Sequence, residues 1–269
     1  DGLMTDQSPS KNRSFKTFGW QGVSLTVPEN WRLAMFQGTY DSGYVRLADE
    51  QTLRLEMRWE TGPTDAPASA TVDTYLGKLR KKARKGKVDL RVERDLNIAS
   101  PTGNVECYRW VADRQAIAMA ARCEECGRTL HLHLLGAPDE GLRNLARTVF
   151  ASLQDHPGED WAPWAFHDLE LQSPVRLQPA HQELTTGAVR LRFGGMLTRM
   201  EFVRASLAGV VLGRKSLEEW FTDFYRKELK RRSWQAEPCR VKGHDGLRIE
   251  GRPWLLVNPM RLLGRPRVL

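Results

Sequence analysis

One pattern, present twice, constrains this chain more than any other feature of its sequence. Trp20, Val23, Leu25 and Pro28 in WQGVSLTVP recur as Phe166, Leu169, Leu171 and Pro174 in FHDLELQSP, at a constant offset of about 146 positions. Further segments follow in the same order. Val45 and Leu47 have counterparts in Val189, Leu191 and Phe193, and LRLEMRW (53–59) has one in RMEFVRA (199–205). Each alternates apolar with polar residues, as a strand with one buried face requires. A helix follows in both copies: Val72, Tyr75, Leu76 and Leu79 fall at i, i+3, i+4 and i+7, and Leu217, Trp220, Phe221 and Phe224 repeat that spacing. Thr71 and Ser216 stand where N-caps are expected. Cations close both helices, Lys81, Lys82, Arg84 and Lys85 in one, Lys227, Lys230, Arg231 and Arg232 in the other, where they complement the helix dipole. Strands leading to Trp110 and Trp254 come next.

Beyond this point the copies differ. The first proceeds through a hairpin, roughly 117–135, into a helix striped by Leu142, Leu145, Val149, Phe150 and Leu153. The second has only LLVNPMRLLGRPRVL, too little for both a hairpin and a helix, so its core is expected to lack strands and a covering layer. The sequence therefore predicts an α+β fold of two tandem units, each an antiparallel sheet packed with helices, the second incomplete. Its expected divisions are a flexible N-terminal segment over 1–17, a first unit over 18–157 and a second over 158–269. Either the chain is a truncated product or something else completes the second unit.

The opening stretch WQGVSLTVPENW runs an aromatic and alternating apolar residues into Pro28 and then Trp31. With the element order strand, strand, strand, helix, strands, helix, it resembles the PsbP-like fold family, whose members include an extrinsic photosystem II subunit and a Ran-binding nuclear transport factor. The likeness extends over most of 18–154 and, less completely, 165–257. It implies a central antiparallel sheet packed between helices and a non-catalytic role in binding or assembly. No functional residue carries over, because such families share a scaffold and bind different partners with different surfaces.

Composition narrows the partners. At 269 residues with a 41% hydrophobic fraction and nine tryptophans, the chain can bury a self-sufficient core. A formal net charge of +8 favours nucleic acid, anionic lipid or acidic protein surfaces. No apolar run approaches a bilayer span, so no transmembrane segment is expected. The N-terminus lacks the apolar core of an uncleaved secretory signal; either Met4 is the native start after a cloning scar or a leader was removed. Four cysteines are too few for a disulfide framework, which points to a reducing, cytoplasmic setting.

The sharpest local signal is ARCEECGRTLHLHL. Cys123 and Cys126 bracket a hairpin turn, and Gly127 supplies the backbone freedom of a zinc knuckle. A closed site needs further ligands, and the nearest are His131 and His133, which alternation places on one strand face opposite Leu130, Leu132 and Leu134. At about 3.3 Å per residue His133 lies too far along the strand, so the expected set is Cys123, Cys126 and His131, reached by a bend, with Cys107 a further candidate. A redox pair and plain free thiols are the alternatives, but redox pairs usually sit at a helix N-terminus that lowers a thiol pKa. Zinc is the one cofactor the sequence suggests.

The second candidate is KLRKKARKGKVDLR. Lys81, Lys82, Arg84 and Lys85 offer a surface for a partner or for nucleic acid, against the plainer reading of a solvated helix end. Aromatics at matched points of the two copies read as core. No nucleophile with its base, phosphate-cradling loop or close carboxylate pair is apparent, and His156, His167, His181 and His244 carry no ligand spacing, so the sequence points away from an enzyme. The leading reading is a non-catalytic binding or scaffolding protein, a subunit or adaptor of a larger assembly that joins a protein partner or its own copies. The alternatives are a nucleic-acid-associated protein and a zinc-stabilised module.

Overall fold

The computed structural model describes residues 14–62, 67–98, 103–156, 160–185, 187–195, 198–230, 232–241 and 243–253. It is built mostly of antiparallel sheet with a few helices, and it divides into two compact units, Asp1–Arg176 and Leu177–Leu269.

In the first unit the strands are β1 (Phe15–Trp20), β2 (Val23–Pro28), β3 (Arg32–Gly38), β4 (Ser42–Ala48) and β5 (Leu53–Thr61), followed by helix α1 (Ala68–Gly86). Then come β6 (Arg91–Glu93), β7 (Asn104–Val111), β8 (Gln115–Arg122), β9 (Arg128–Gly136), helix α2 (Arg143–Ala151), β10 (Gln154–Asp155), β11 (Trp161–Phe166) and β12 (Leu169–Pro174). They form a seven-stranded sheet, β3-β4-β5-β9-β8-β7-β6, and a five-stranded sheet, β10-β2-β1-β11-β12.

The centre of the larger sheet is covered on both faces. Every residue of β8 is buried, and so is every residue of β9 but Leu135. Helix α1 lies over β7 and β8, where Val72 and Leu76 pack with Tyr108, Ala118 and Ala120; the two alanines leave room for the helix. Helix α2 packs on β2 and β8, burying Leu145, Ala146, Val149 and Phe150.

The two entry hairpins meet. β1 runs antiparallel to β11 with Gly19 opposite Ala165, residues that the sequence offset makes equivalent. The turns match too, since Gln21 and its counterpart His167 both take a left-handed backbone, with φ of 53° and 51°. Gly19 is needed at the crossing: a Cβ there would stand 3.0 Å from the Pro163 carbonyl oxygen. Because the second hairpin joins the sheet of the first, the boundary between compact units falls after Arg176 rather than after residue 157. β1 likewise begins at Phe15, inside the expected 1–17 segment.

In the second unit β13 (Gln178–Thr185), β14 (Ala188–Gly194) and β15 (Arg199–Ala205) form one sheet. Helices α3 (Ala208–Leu212), α4 (Leu217–Phe224) and α5 (Arg226–Leu229) follow, and then a separate hairpin of β16 (Arg232–Val241) and β17 (His244–Pro253). Leu191 and Phe193 of β14 are buried like Val45 and Leu47 of β4. Ser216 caps α4 in a full capping box with Glu219. Thr71, by contrast, lies inside α1: Pro67 is the N-cap, and Asn104 Oδ1 of β7 accepts from the Ala68 amide at 2.8 Å. Arg231, Trp254 and the apolar tail that follows lie outside the described residues. No helix among the described residues is long and apolar enough to cross a membrane.

Candidate functional site

The β8–β9 turn closes with the Cys123 amide donating to the Arg128 carbonyl at 2.9 Å and the Gly127 amide to the Cys123 carbonyl at 3.0 Å. Gly127 takes φ of 70°, a left-handed backbone that glycine adopts without strain. This brings Cys123 and Cys126 together, as their spacing suggests. Their companions come from β10. That strand pairs with β2, Gln154 opposite Ser24 and Asp155 opposite Val23, and the His156 amide donates to the Gly22 carbonyl at 3.2 Å. One potential donor atom from each of Cys123, Cys126, Asp155 and His156 lies within 4.8 Å of every other, a cluster able to hold a metal ion.

His156 Nε2 is 3.0 Å from Cys126 Sγ, and Asp155 Oδ2 is 3.9 Å from that sulfur and 3.7 Å from His156 Nε2. The other carboxylate oxygen, Oδ1, pairs with Arg128 Nη2. Arg128 is fully buried; its Nη1 donates to the Gln21 carbonyl at 2.9 Å and its guanidinium lies 4.7 Å over the Tyr40 ring. Burial pushes the Cys126 thiol up to about 11, so without a metal it stays protonated at neutral pH. A protonated thiol is a poor nucleophile and a poor redox centre.

His131 lies elsewhere. With His133 it projects from β9 beneath α1, and the Tyr108 hydroxyl of β7 stands 2.7 Å from His131 Nε2 and 3.0 Å from His133 Nε2. One hydroxyl proton serves only one acceptor, so the two rings must carry different tautomers, one accepting from Tyr108 and one donating to it. Tyr75 of α1 meets both rings, edge-to-face with His131 at 5.1 Å and tilted against His133 at 4.4 Å between centroids. Burial pulls His131 down to about 4 and His133 well below its ordinary value. These are neutral core histidines. Cys107 is buried on β7, its thiol pushed up to about 11 by burial.

Lys81, Lys82, Arg84 and Lys85 are exposed at the C-terminal end of α1, with Arg84 and Lys85 in its last turn. That position offsets the partial negative charge of the terminal carbonyls. Asp155 and His156 are the site residues that the sequence did not reveal, since a two-residue strand carries no period and His156 sits about 30 positions from its sulfur partner.

No family model matches the chain, and no curated protein matches it. Among solved structures it is similar to the solution structure of cyanobacterial PsbP (CyanoP) from Synechocystis sp. PCC 6803. The two are 16% identical, the match covers 57% of this chain and 99% of that one, and the TM-score is 0.39.

Proposed function

We propose that the chain is a non-catalytic binding or scaffolding protein built of two tandem copies of one α+β unit, a subunit or adaptor that joins a protein partner or its own copies, whose second copy receives a β-hairpin that the described residues of 177–253 do not supply. The copies are supported by the shared offset and by the pairing of equivalent residues Gly19 and Ala165. The receiving role is carried by one observation: a gap in the second unit. Its sheet β13-β14-β15 corresponds to β3-β4-β5, and its hairpin β16-β17 to β6-β7, but in the first unit β9 and β8 stand between those halves. Among the described residues nothing takes their place.

The helices respond accordingly. Val72 and Leu76 of α1 are sealed against β7 and β8, whereas α4 buries no residue and leaves Leu217 and Phe224 each 39% exposed. A cavity of about 250 Å³ remains between the sheet and these helices, lined by Ala188, Arg190, Val203, Val211, Trp220 and Phe224. Unpaired strand edges beside an apolar helix face are the features that strand addition uses, backbone bonds giving affinity and alternate side chains specificity. The fitting partner is a hairpin with aliphatic residues at the edge of β15 and small residues, like Ala118 and Ala120, under the helix. A cytoplasmic, reducing setting suits the four free thiols of the chain.

A labelled peptide of residues 115–136, the first unit's own bridging hairpin, probes this gap. Fluorescence anisotropy against the full chain is expected to show saturable binding that weakens about tenfold or more in a Leu217→Asp, Phe224→Asp double variant. Light scattering separates the sources. Self-association abolished by the same variant assigns the gap to a second copy, a monomer that binds the peptide assigns it to a hairpin from outside residues 1–269, and a monomer that ignores the peptide overturns the reading.

A second reading is favoured by the donors at the β8–β9 turn, namely that the first unit is a zinc-stabilised module. Thiolates paired across a tight turn select zinc over hard, oxygen-seeking cations.

A further inference from the structure

We infer that Cys123, Cys126, Asp155 and His156 together form one closed metal site of zinc type, a clasp that ties the turn of the seven-stranded sheet to the edge of the five-stranded sheet. The inference rests on the zinc reading of the cysteine turn and adds to it the two ligands that complete the site. In a tetrahedral zinc centre with one sulfur and one nitrogen ligand, those atoms stand about 3.5 Å apart. The separations here, 3.0 Å from His156 Nε2 to Cys126 Sγ, 3.7 Å from His156 Nε2 to Asp155 Oδ2 and 3.9 Å from Asp155 Oδ2 to Cys126 Sγ, bracket that value. Only small side-chain movements are needed to close on an ion.

The carboxylate is already oriented by the arginine beside it. Oδ1 accepts from Nη2 of the buried Arg128, while Oδ2, which accepts a longer bond of 3.4 Å from Arg128 Nε, also faces the sulfur and the imidazole. A ligand oriented by an outer hydrogen bond is how metal sites fix their first coordination sphere. The charges also balance: two thiolates and one carboxylate are matched by a divalent ion and Arg128, which suits a partly buried place. Two thiolates, one imidazole and one carboxylate suit Zn²⁺ or Co²⁺ and not Mg²⁺ or Ca²⁺.

The position gives the ion its effect. Cys123 and Cys126 belong to the turn between β8 and β9, whereas Asp155 and His156 lie at the end of β10, which is paired to β2. Metal binding therefore adds a second tie between two sheets already joined by packing and by the Arg128–Asp155 pair, and its binding energy adds to the stability of the first unit.

Cobalt titration of the full, reduced, metal-free chain tests the assignment. The wild type is expected to take one equivalent, to develop the visible bands of a tetrahedral thiolate site, and to lose them when zinc is added. Absence of such bands, or their survival in a Cys123→Ser, Cys126→Ser double variant, overturns the zinc reading itself. With that reading intact, His156→Ala and Asp155→Asn are expected to change the band shape and weaken cobalt binding about tenfold or more. Spectra and affinity unchanged in folded His156→Ala would overturn the clasp while leaving two cysteine ligands in place. His156 is part-exposed and not a core residue, so that variant is informative even where Asp155→Asn disturbs Arg128.

Discussion

Replacing Trp20 by Ala is expected to cost about 3–5 kcal/mol and to lower the main thermal transition by roughly 10 °C. The ring is 1% exposed and meets Phe36 of β3 at 4.9 Å, Trp164 at 5.2 Å and its own repeat counterpart Phe166 at 5.1 Å. It therefore packs together the two entry hairpins and reaches the seven-stranded sheet, so its removal leaves a cavity that no one element can close. Trp161 is the control. At 52% exposure its replacement by Ala is expected to stay within about 0.5 kcal/mol. Calorimetry of the two variants checks both, and equal small shifts would mean that the hairpins do not meet around Trp20.

The first unit is also expected to lose about 3 kcal/mol of stability as pH falls from 6.5 to 4 through His131 alone. Burial lowers His131 to about 4 in the folded chain, so below its ordinary value of 6.5 the unfolded chain takes up a proton that the folded one refuses. The stabilisation is complete above pH 6.5 and drains away on acidification. His133, lowered further by burial and by its neighbour His131, pushes in the same direction. The charged groups facing His131, Arg58 and Glu56 of β5, act oppositely, Arg58 lowering and Glu56 raising it, while Tyr75 of α1 and Tyr108 of β7 contribute neutral rings and hydroxyls. Urea unfolding across this pH range checks the slope. His131→Gln, which keeps a hydrogen-bonding partner for Tyr108, is expected to flatten it.

Much of the local structure is legible in the sequence because side-chain period reports directly on burial. The alternation in WQGVSLTVP and FHDLELQSP gives the strands β2 and β12, and Ser216 ahead of an apolar stripe gives the N-cap of α4, which the structure completes with Glu219. Thr71 has no such acidic partner three residues on, and α1 begins before it. Which strand lies beside which is less legible. Alternation marks a strand after Trp20 but not the β1 before it, nor that β1 lies beside β11, which joins residues 161–174 to the sheet of the first unit.

The site divides along the same line. The cysteine spacing is local and survives, while Asp155 and His156 arrive through a two-residue strand that no periodic signal marks. His131 and His133 do share a face of β9, as alternation requires, yet polar residues on one face ordinarily suggest solvent. Here α1 covers that face, and the Tyr108 hydroxyl supplies the partner that makes burial tolerable.

The measurement that bears most directly on the receiving role of the second unit is hydrogen exchange over β15 and β17 in the full chain, with and without the hairpin peptide of residues 115–136. Unpaired edges predict fast exchange at alternate amides of 199–205 and 244–253 in the monomer, slowed when the peptide is added. Slow exchange there in a monomer without peptide, or exchange that the peptide leaves unchanged, would contradict the account.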